Sequence, residues 1–364
     1  MIFPRRKTKQ IHVGGVAIGG GAPIVVQSMV KTHTHDVEAT VAQIRKLERA
    51  GCEIVRVAVP DERASRALPS ILPRVSIPVI ADIHFDYRLA LASLEAGVHG
   101  LRLNPGTIGP KEKIRVVVEA ARERKIPIRI GVNSGSLEKD LLHRYGGATP
   151  EAMVESALRH ISFLEDRGFD LIKVSLKASD VGRTVEAYRQ LAKKVAYPFH
   201  AGITEAGGLP RGTIKSSVGL GILLSEGLAD TIRVSLTAPP EEEVRVAYAI
   251  LESLGLRTRG INLISCPICG RAEVDMMKIT RAIEKKLASV EAPLTVAIMG
   301  CMVNGPGEAK EADIGLACGR GVGVIFKKGR LFRRIEGERE IIREFVEEVR
   351  RMAVQAKQEK GKTG

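Results

Sequence analysis

Two segments of the sequence carry cysteines at spacings suited to a metal centre. Cys266 and Cys269 are separated by two residues, so both thiolates can bind one centre from a single turn, and Cys301 follows on a glycine-rich loop. Iron-sulfur clusters are normally held by four thiolates. A cluster on three cysteines therefore has one iron that is either open or bound by another kind of ligand. Glu308 is the candidate, because the turn-forming residues 304–307 can bring its carboxylate back to the same centre.

Zinc is the alternative metal at this spacing. Structural zinc sites commonly add a second CxxC pair or two histidines, and neither accompanies Cys301, so the spacing favours a cluster. A disulfide is less expected, because the cysteine count of five is odd and no secretory signal opens the chain. We expect Cys52 to pack at a helix-to-strand corner and Cys318 to lie at the end of a strand.

The composition is that of a soluble globular protein. Hydrophobic residues make up 44% of the chain without a long uncharged run, so we expect no membrane span and a cytoplasmic location. The formal net charge is +14, but only 4% of residues are aromatic and no nucleic-acid-binding motif is present, so nucleic acid is not an expected partner. The charge suits a polyanionic small substrate and would steer an acidic electron-donor protein.

A short β-branched run, a turn and an amphipathic helix recur eight times between residues 23 and 236. Alternating units of this kind form parallel strands, and eight of them close into a (β/α)8 TIM barrel. The strands are expected at residues 24–29, 53–59, 78–83, 100–104, 127–133, 171–177, 199–205 and 231–235.

The remainder of the chain predicts a smaller α+β domain. Its expected elements are strands at 259–264 and 294–299, helices at 273–287 and 338–352, and a hairpin at 321–335. We therefore predict a barrel over residues 1–256 and a metal-binding domain over residues 257–364.

Charged side chains recur on one face of several barrel strands. Strand side chains alternate between faces, so these charges point into the barrel while their apolar neighbours face the helices. An unpaired buried charge costs several kcal/mol, so the charges are expected where a ligand meets them, at the C-terminal mouth. The predicted cations are Arg56, Arg102, Arg129, Lys177 and Arg233. They suit phosphate oxygens. Salt bridges within the barrel are the alternative, but the two acids Asp82 and Glu205 cannot neutralise five cations.

The acids and the histidine of this region could transfer protons. Glu205 is the best-placed general acid or base, and its alternative role is to pair with Lys177 or Arg233. Asp82 and His84 could orient substrate or pass protons, although a lone histidine is often only a hydrogen-bonded structural residue. Residues 134–147 form a long loop that is expected to cover the site.

These motifs together resemble the bacterial two-domain form of the 4-hydroxy-3-methylbut-2-enyl diphosphate synthases. The resemblance covers nearly the full length and rests on residues 26–29, 102–109, 129–136, 202–207, 265–271 and 299–309. It implies reductive ring opening and dehydration of 2-C-methyl-D-erythritol 2,4-cyclodiphosphate in the isoprenoid pathway that does not use mevalonate.

The same resemblance implies roles for individual residues. A 4Fe-4S cluster would bind Cys266, Cys269, Cys301 and Glu308, and the diphosphate would bind Arg56, Arg102, Arg129, Asn133, Lys177, Arg233 and Ser235. Glu205 would be the acid near the reacting carbons, and we also assign Asn304 to substrate binding. Flavodoxin or ferredoxin would supply two electrons. The active form would be a homodimer in which the cluster domain of one subunit closes over the barrel of the other.

Two other functions are compatible with parts of the pattern. A zinc-stabilised barrel could bind a phosphorylated ligand without redox chemistry, and iron and sulfide analysis would separate it from a cluster enzyme. A radical enzyme that uses adenosylmethionine is the second alternative, but its usual CxxxCxxC trio is absent from the sequence.

Overall fold

The computed structural model describes residues 4–103, 111–301, 307 and 312–360. The chain divides into two compact units, residues 1–257 and residues 258–364. Each unit has its own hydrophobic core.

The first unit is an eight-stranded parallel barrel, as the sequence predicts. A short antiparallel hairpin, β1 (Ile11–Val13) and β2 (Val16–Ile18), precedes it. The barrel strands are β3 (Val25–Met29), β4 (Ile54–Ala58), β5 (Val79–Ile83), β6 (Gly100–Leu103), β7 (Ile128–Asn133), β8 (Ile172–Lys177), β9 (His200–Ala201) and β10 (Thr231–Ile232). They pair in the order β8-β7-β6-β5-β4-β3-β10-β9, and a parallel bridge between Val174 and Phe199 joins β8 to β9.

Helices follow the barrel strands and pack on their outer faces. The helices of this unit are α1 (Val37–Ala50), α2 (Glu62–Ile71), α3 (Tyr87–Glu95), α4 (Lys111–Glu123), α5 (Lys139–Arg144), α6 (Pro150–Glu165), α7 (Val181–Ala192), α8 (Leu209–Ser225) and α9 (Pro240–Ser253). Side-chain caps set several of their starts; the Asp36 carboxylate, for example, accepts a hydrogen bond of 3.0 Å from the amide of Ala39. Gly51, in a left-handed conformation, ends α1 and turns the chain into β4.

The last two barrel strands are shorter than the sequence pattern predicts. The expected strand at 199–205 is reduced to two residues in β9, and the one at 231–235 to two residues in β10. Gly202 accounts for part of the difference, because a Cβ at this position would lie 2.4 Å from the carbonyl oxygen of Arg233. The two segments of the chain therefore approach closely at the mouth, and their regular strand pairing ends there.

The two faces of the barrel strands differ in polarity. Outward residues of β6, β7 and β8, such as Leu101, Ile130 and Val174, belong to one large apolar cluster that includes residues of the helices. Val25, Ile54 and Ile80 form a separate apolar cluster with residues of the β1–β2 hairpin, which places an apolar layer at the amino ends of the strands. Between this layer and the carboxyl ends the inward residues are mostly polar or charged.

The second unit is a five-stranded mixed sheet with helices. Its strands are β11 (Ile261–Ser265), β12 (Leu294–Met299), β13 (Ile314–Gly319), β14 (Val322–Lys327) and β15 (Arg330–Glu336), in this order across the sheet. The first three strands are parallel and the last two antiparallel. Helices α10 (Met276–Leu287) and α11 (Glu338–Lys360) pack against the sheet. Helix α10 begins later than expected because Asp275 caps it, and α11 runs beyond the predicted residue 352.

Within the part of the chain that the structure describes, no helix is both long and apolar enough to cross a membrane.

Candidate functional site

A buried acid joins two of the predicted cations at the barrel mouth. The Asp82 carboxylate lies 3.1 Å from Nη1 of Arg102 and 3.5 Å from Nε of Arg56. Nε2 of His84 is 3.0 Å from the same Arg102 nitrogen and 3.5 Å from Asp82. Burial alone would raise the pKa of Asp82, but Arg56, the His84 hydrogen bond and Arg102 outweigh it and lower that pKa. Asp82 is therefore an anion that positions the two arginines.

Two further cations, Arg129 and Lys177, are buried with far less compensation. Arg129 and Lys177 are almost inaccessible to solvent, and burial together with neighbouring arginines lowers the pKa of each well below its usual value. Burial also lowers the pKa of Arg56 to about 10, despite the opposing effect of Asp82. The mouth thus holds more positive charge than its own acids neutralise, as a site for a multiply charged anion requires.

Glu243 is the second acid of the site, and our sequence analysis did not identify it. It lies on α9 and is 1% exposed. Its carboxylate accepts hydrogen bonds from Nη2 of Arg233 at 3.3 Å, from the Ser28 hydroxyl at 3.1 Å and from the Leu236 amide at 3.1 Å. The Lys31 ammonium lies 3.0 Å away. Glu243, rather than Glu205, is therefore the carboxylate that holds Arg233.

A buried histidine supports Lys177 and was also missed. Nε2 of His200 lies 3.4 Å from Nζ of Lys177, and its Nδ1 lies 2.7 Å from the Thr231 hydroxyl. Burial and the surrounding cations lower the pKa of His200 well below its usual value, so the ring is neutral. A neutral ring can accept a hydrogen bond from the Lys177 ammonium and thereby fix its position.

Gly131 makes room for the Arg102 guanidinium. A Cβ at this inward position of β7 would lie 2.7 Å from Nε of Arg102. A side chain here would therefore displace the arginine from its place beside Asp82.

The other predicted barrel residues lie at or near the carboxyl ends of the strands. Asn133 ends β7 and Ser235 follows β10, and both are partly exposed. Glu205 is exposed and does not continue a strand; its φ of 52° lies in the left-handed region, which non-glycine residues rarely adopt. Such strain persists where the surroundings impose it and clusters at functional sites. The roles of these three residues stay predictions.

The cysteines of the second unit are arranged at one end of its sheet. Cys266 directly follows β11 and donates its amide to the Ile298 carbonyl of β12 at 2.9 Å, and Cys301 follows the end of β12 by two residues. A Cβ on Gly300 would lie 2.7 Å from Cγ of Met276 and 3.7 Å from Cβ of Ala272. The glycine thus allows the Cys301 segment to pass close to the segment that carries Cys269.

The loop between the paired cysteines is strained. Ile268 has a φ of 64°, an outlier for a β-branched residue, and Cys269 beside it is exposed. Backbone strain of this kind costs of order 1–3 kcal/mol and is retained where it shapes a functional site. The left-handed residue lies between the two cysteines of the CxxC pair.

The two remaining cysteines behave as core residues. Burial raises the pKa of Cys52 and of Cys318 to about 12, so neither supplies a thiolate at neutral pH. Cys318 lies within β13 and packs in the core with α10 and α11. The structure therefore separates Cys266, Cys269 and Cys301, near the sheet end, from two thiols that serve packing.

These three residues fit an iron-sulfur cluster by the chemistry of their donor set. No three His, Cys, Asp or Glu side chains among the described residues are grouped tightly enough to hold a single metal ion. A cluster is held differently, since its thiolates bind separate irons. Three cysteines carried on two neighbouring loops supply the type of ligand that a cluster needs and three of its usual four ligands. Glu308 and Asn304 lie outside the described residues.

Comparison with known proteins identifies similar chains. Residues 8–248 match the family model described as the GcpE TIM-barrel domain, and residues 262–351 match the GcpE protein C-terminal domain. A protein of Lawsonia intracellularis named 4-hydroxy-3-methylbut-2-en-1-yl diphosphate synthase (flavodoxin) is 58% identical over 96% of this chain and 97% of its own length. Proteins of the same name from Geobacter sulfurreducens and Geobacillus kaustophilus are 60% and 54% identical, over 91% and 99% of this chain and 94% and 97% of their own lengths.

Proposed function

The chain belongs to the GcpE family, and from this membership we infer that it is a 4-hydroxy-3-methylbut-2-enyl diphosphate synthase. It is an oxidoreductase that reductively converts 2-C-methyl-D-erythritol 2,4-cyclodiphosphate to (E)-4-hydroxy-3-methylbut-2-enyl diphosphate. The observation that carries this function is the excess of buried cations over acids inside the barrel, which suits a substrate that bears a diphosphate.

The diphosphate is the ligand of these cations. Arg56 and Arg102 are already oriented by Asp82, and Arg233 by Glu243, so their guanidinium groups need little reorganisation when substrate arrives. Asn133 and Ser235 add uncharged hydrogen-bonding groups at the strand ends. Lys177 adds a positive charge, and the diphosphate raises its pKa when it binds, because a nearby anion favours the ammonium form.

Cys266, Cys269, Cys301 and Glu308 would hold a 4Fe-4S cluster in the second unit. When bound, such a cluster supplies electrons one at a time and acts as a Lewis acid toward the oxygen that leaves carbon. Residues 1–256 then form the substrate-binding domain and residues 257–364 the cluster domain. Asn304, four residues before Glu308 in the sequence, contacts substrate in this proposal.

Proton transfer falls to the acids and the histidine of the mouth. Glu205 is exposed at the carboxyl end of the barrel and is free of the ion pairs that hold Asp82 and Glu243 among the described residues, so it is the general acid or base of the proposal. His84 has a partly exposed side chain and touches Arg102, so it can pass a proton between solvent and the site. Whether Glu205 or His84 transfers the proton, Asp82 holds Arg56, Arg102 and His84 in position.

The name shared by the relatives makes flavodoxin the proposed electron donor, and ferredoxin the alternative. The decisive experiment is an anaerobic assay of the purified chain with the cyclodiphosphate and reduced flavodoxin, combined with iron and sulfide analysis. We expect about four irons per chain and formation of the linear diphosphate. Turnover by material that contains zinc, or no metal at all, would contradict the proposal.

We propose further that the active form is a homodimer in which the cluster domain of one subunit closes over the barrel of its partner. Helix α8 supports an interface between copies, because Ile214 and Val218 lie one turn apart on its outer face and are 65% and 50% exposed. The occupant of this apolar face in the proposal is a second copy of the chain.

A double variant, Ile214→Asp with Val218→Asp, will be monomeric if this face is the interface. Two carboxylates in an apolar contact lose hydration without gaining partners, so association will weaken by at least tenfold. Light scattering coupled to size-exclusion chromatography measures the change. Arg66→Ala, on the exposed face of α2, is the matched control and should leave the mass unchanged. A double variant that stays dimeric at the same concentrations would place the interface elsewhere.

A further inference from the structure

A methionine sulfur at the barrel mouth lies between two of the cations. Met29 ends β3, and its register partner on β4 is Arg56. Sδ of Met29 lies 3.2 Å from Nε and 3.0 Å from Nη2 of Arg56, and 3.8 Å from Nη1 of Arg233. A thioether sulfur is a weak hydrogen-bond acceptor that carries no charge. The two guanidinium groups therefore donate to one neutral atom.

The barrel topology places the Met29 side chain at this point. Strand β3 pairs with β4 on one side and with β10 on the other, and Arg233 directly follows β10. Val26 belongs to the outer apolar cluster and Val25 to the apolar layer inside the barrel, so alternation along β3 turns Met29 inward with Val25. The residue that ends β3 therefore has an arginine on each of its two neighbouring strands.

The two arginines repel each other across the sulfur. Burial lowers the pKa of Arg56, and the nearby charge of Arg233 lowers it further, against the effect of Asp82. Each arginine already has one acid beside it, Asp82 at 3.5 Å from Arg56 and Glu243 at 3.3 Å from Arg233. A third carboxylate at the position of Met29 would relieve the repulsion, but it would also cancel positive charge that a diphosphate needs. A neutral acceptor orients both groups and leaves their charge intact.

The sulfur contacts one particular edge of the Arg56 guanidinium. Nε and Nη2 form one edge of the planar group, and both lie within 3.2 Å of Sδ of Met29. A contact to both nitrogens fixes the rotation of the plane and leaves Nη1 for a ligand. A hydrocarbon side chain of the same size would offer no acceptor to these buried N–H groups, so the guanidinium would turn toward another one.

We propose that Met29 is a positioning residue for substrate binding, whose sulfur holds the guanidinium groups of Arg56 and Arg233 in the orientation that receives the diphosphate. The identity of the ligand in this inference rests on the proposed function. The contribution of Met29 is preorganisation, because arginines that are already oriented lose less conformational freedom when the substrate binds. Met29 itself needs no contact with the substrate.

Met29→Leu tests the role of the sulfur, because leucine keeps an apolar side chain of similar volume and removes the acceptor. This variant will bind the cyclodiphosphate about 5- to 20-fold more weakly in isothermal titration, with unchanged iron content and unfolding temperature. Met29→Gln supplies an uncharged oxygen on a side chain of similar length and will restore the affinity to within about threefold of the wild type. Met153→Leu, buried on α6, is the matched control and will keep the wild-type affinity.

A double-mutant cycle separates positioning from a general effect on the fold. In an Arg56→Ala background, Met29→Leu will change the affinity by less than about twofold, because the main group that the sulfur orients is gone. Losses that simply add in the double variant would overturn the proposal, as would wild-type affinity in Met29→Leu.

Crystal structures of the ligand-free variants test the same role without any substrate. The Arg56 guanidinium will be turned away from its wild-type position in Met29→Leu and will keep that position in Met29→Gln. An unmoved guanidinium in Met29→Leu would overturn the positioning role, whatever the substrate is. A wild-type chain that does not bind the cyclodiphosphate would contradict the proposed function alone, and the crystal structures would still decide the role of Met29.

Discussion

A Cys301→Ser variant, purified anaerobically, will contain less than about one iron per chain, where the wild type is expected to contain about four. Serine keeps the size of the side chain but replaces a soft thiolate with a hard hydroxyl, which is a poor ligand for iron-sulfur clusters. Turnover will fall to background, because electrons then have no route to substrate. Iron and sulfide content and the visible absorbance measure the loss independently of activity.

Two further variants make this prediction specific. Cys318→Ala, on the neighbouring strand β13, will keep its iron, because burial raises the pKa of that thiol to about 12 and it belongs to the core. Glu308→Cys will also keep its iron but will lose turnover, because a fourth thiolate gives up its place to substrate less readily than a carboxylate. Full iron in Cys301→Ser would remove this residue from the ligand set, and full turnover in Glu308→Cys would make an exchangeable ligand unnecessary.

An Arg102→Ala variant will bind the cyclodiphosphate about 10- to 150-fold more weakly, the equivalent of 1.5–3 kcal/mol for hydrogen bonds to a charged group. The upper end is expected, because the change also frees Asp82 from a 3.1 Å ion pair and leaves its negative charge beside the diphosphate site. Isothermal titration with the cyclodiphosphate measures the affinity, and iron content checks that the second unit is intact.

Gly131→Ala provides an independent test of the same arginine. The added methyl group would lie 2.7 Å from Nε of Arg102, so the guanidinium must move although its charge is kept. We expect weaker binding in this variant and none of the loss in Arg66→Ala, whose side chain is exposed on α2. Wild-type affinity in Arg102→Ala would place the substrate elsewhere in the molecule.

The fold could be predicted because its signals are local. Each barrel unit places a β-branched run before an amphipathic helix, and strand side chains alternate between faces, so strand order, helix positions and the inward direction of Arg102 and Arg129 follow from spacing alone. The errors occur where contacts distant in sequence decide the backbone. Strands β9 and β10 are short in part because Gly202 and Arg233 approach each other at the mouth.

The partners of the site residues could not be predicted in the same way. Glu243 follows two other glutamates at the start of α9, where acidic residues are common for reasons of the helix dipole. A signal was present, since Glu243 shares a face with Ala247 and Ile250, both of which are buried. His200 similarly occupied an inward position of an expected strand. In both cases the spacing alone did not indicate which lysine or arginine would be the partner.

By itself, the sequence determined the class of the barrel, the presence of a second α+β unit, the cations that face inward, and the cysteines with metal-binding spacing. All of these depend on how residue types are spaced along the chain, and that spacing is visible among residues close to one another in sequence. The tertiary structure alone decided which acid neutralises which cation, and that Arg129 forms no ion pair with an acid of the part of the chain that the structure describes. Ion pairing and burial depend on distances between residues far apart in the chain, and folding sets those distances.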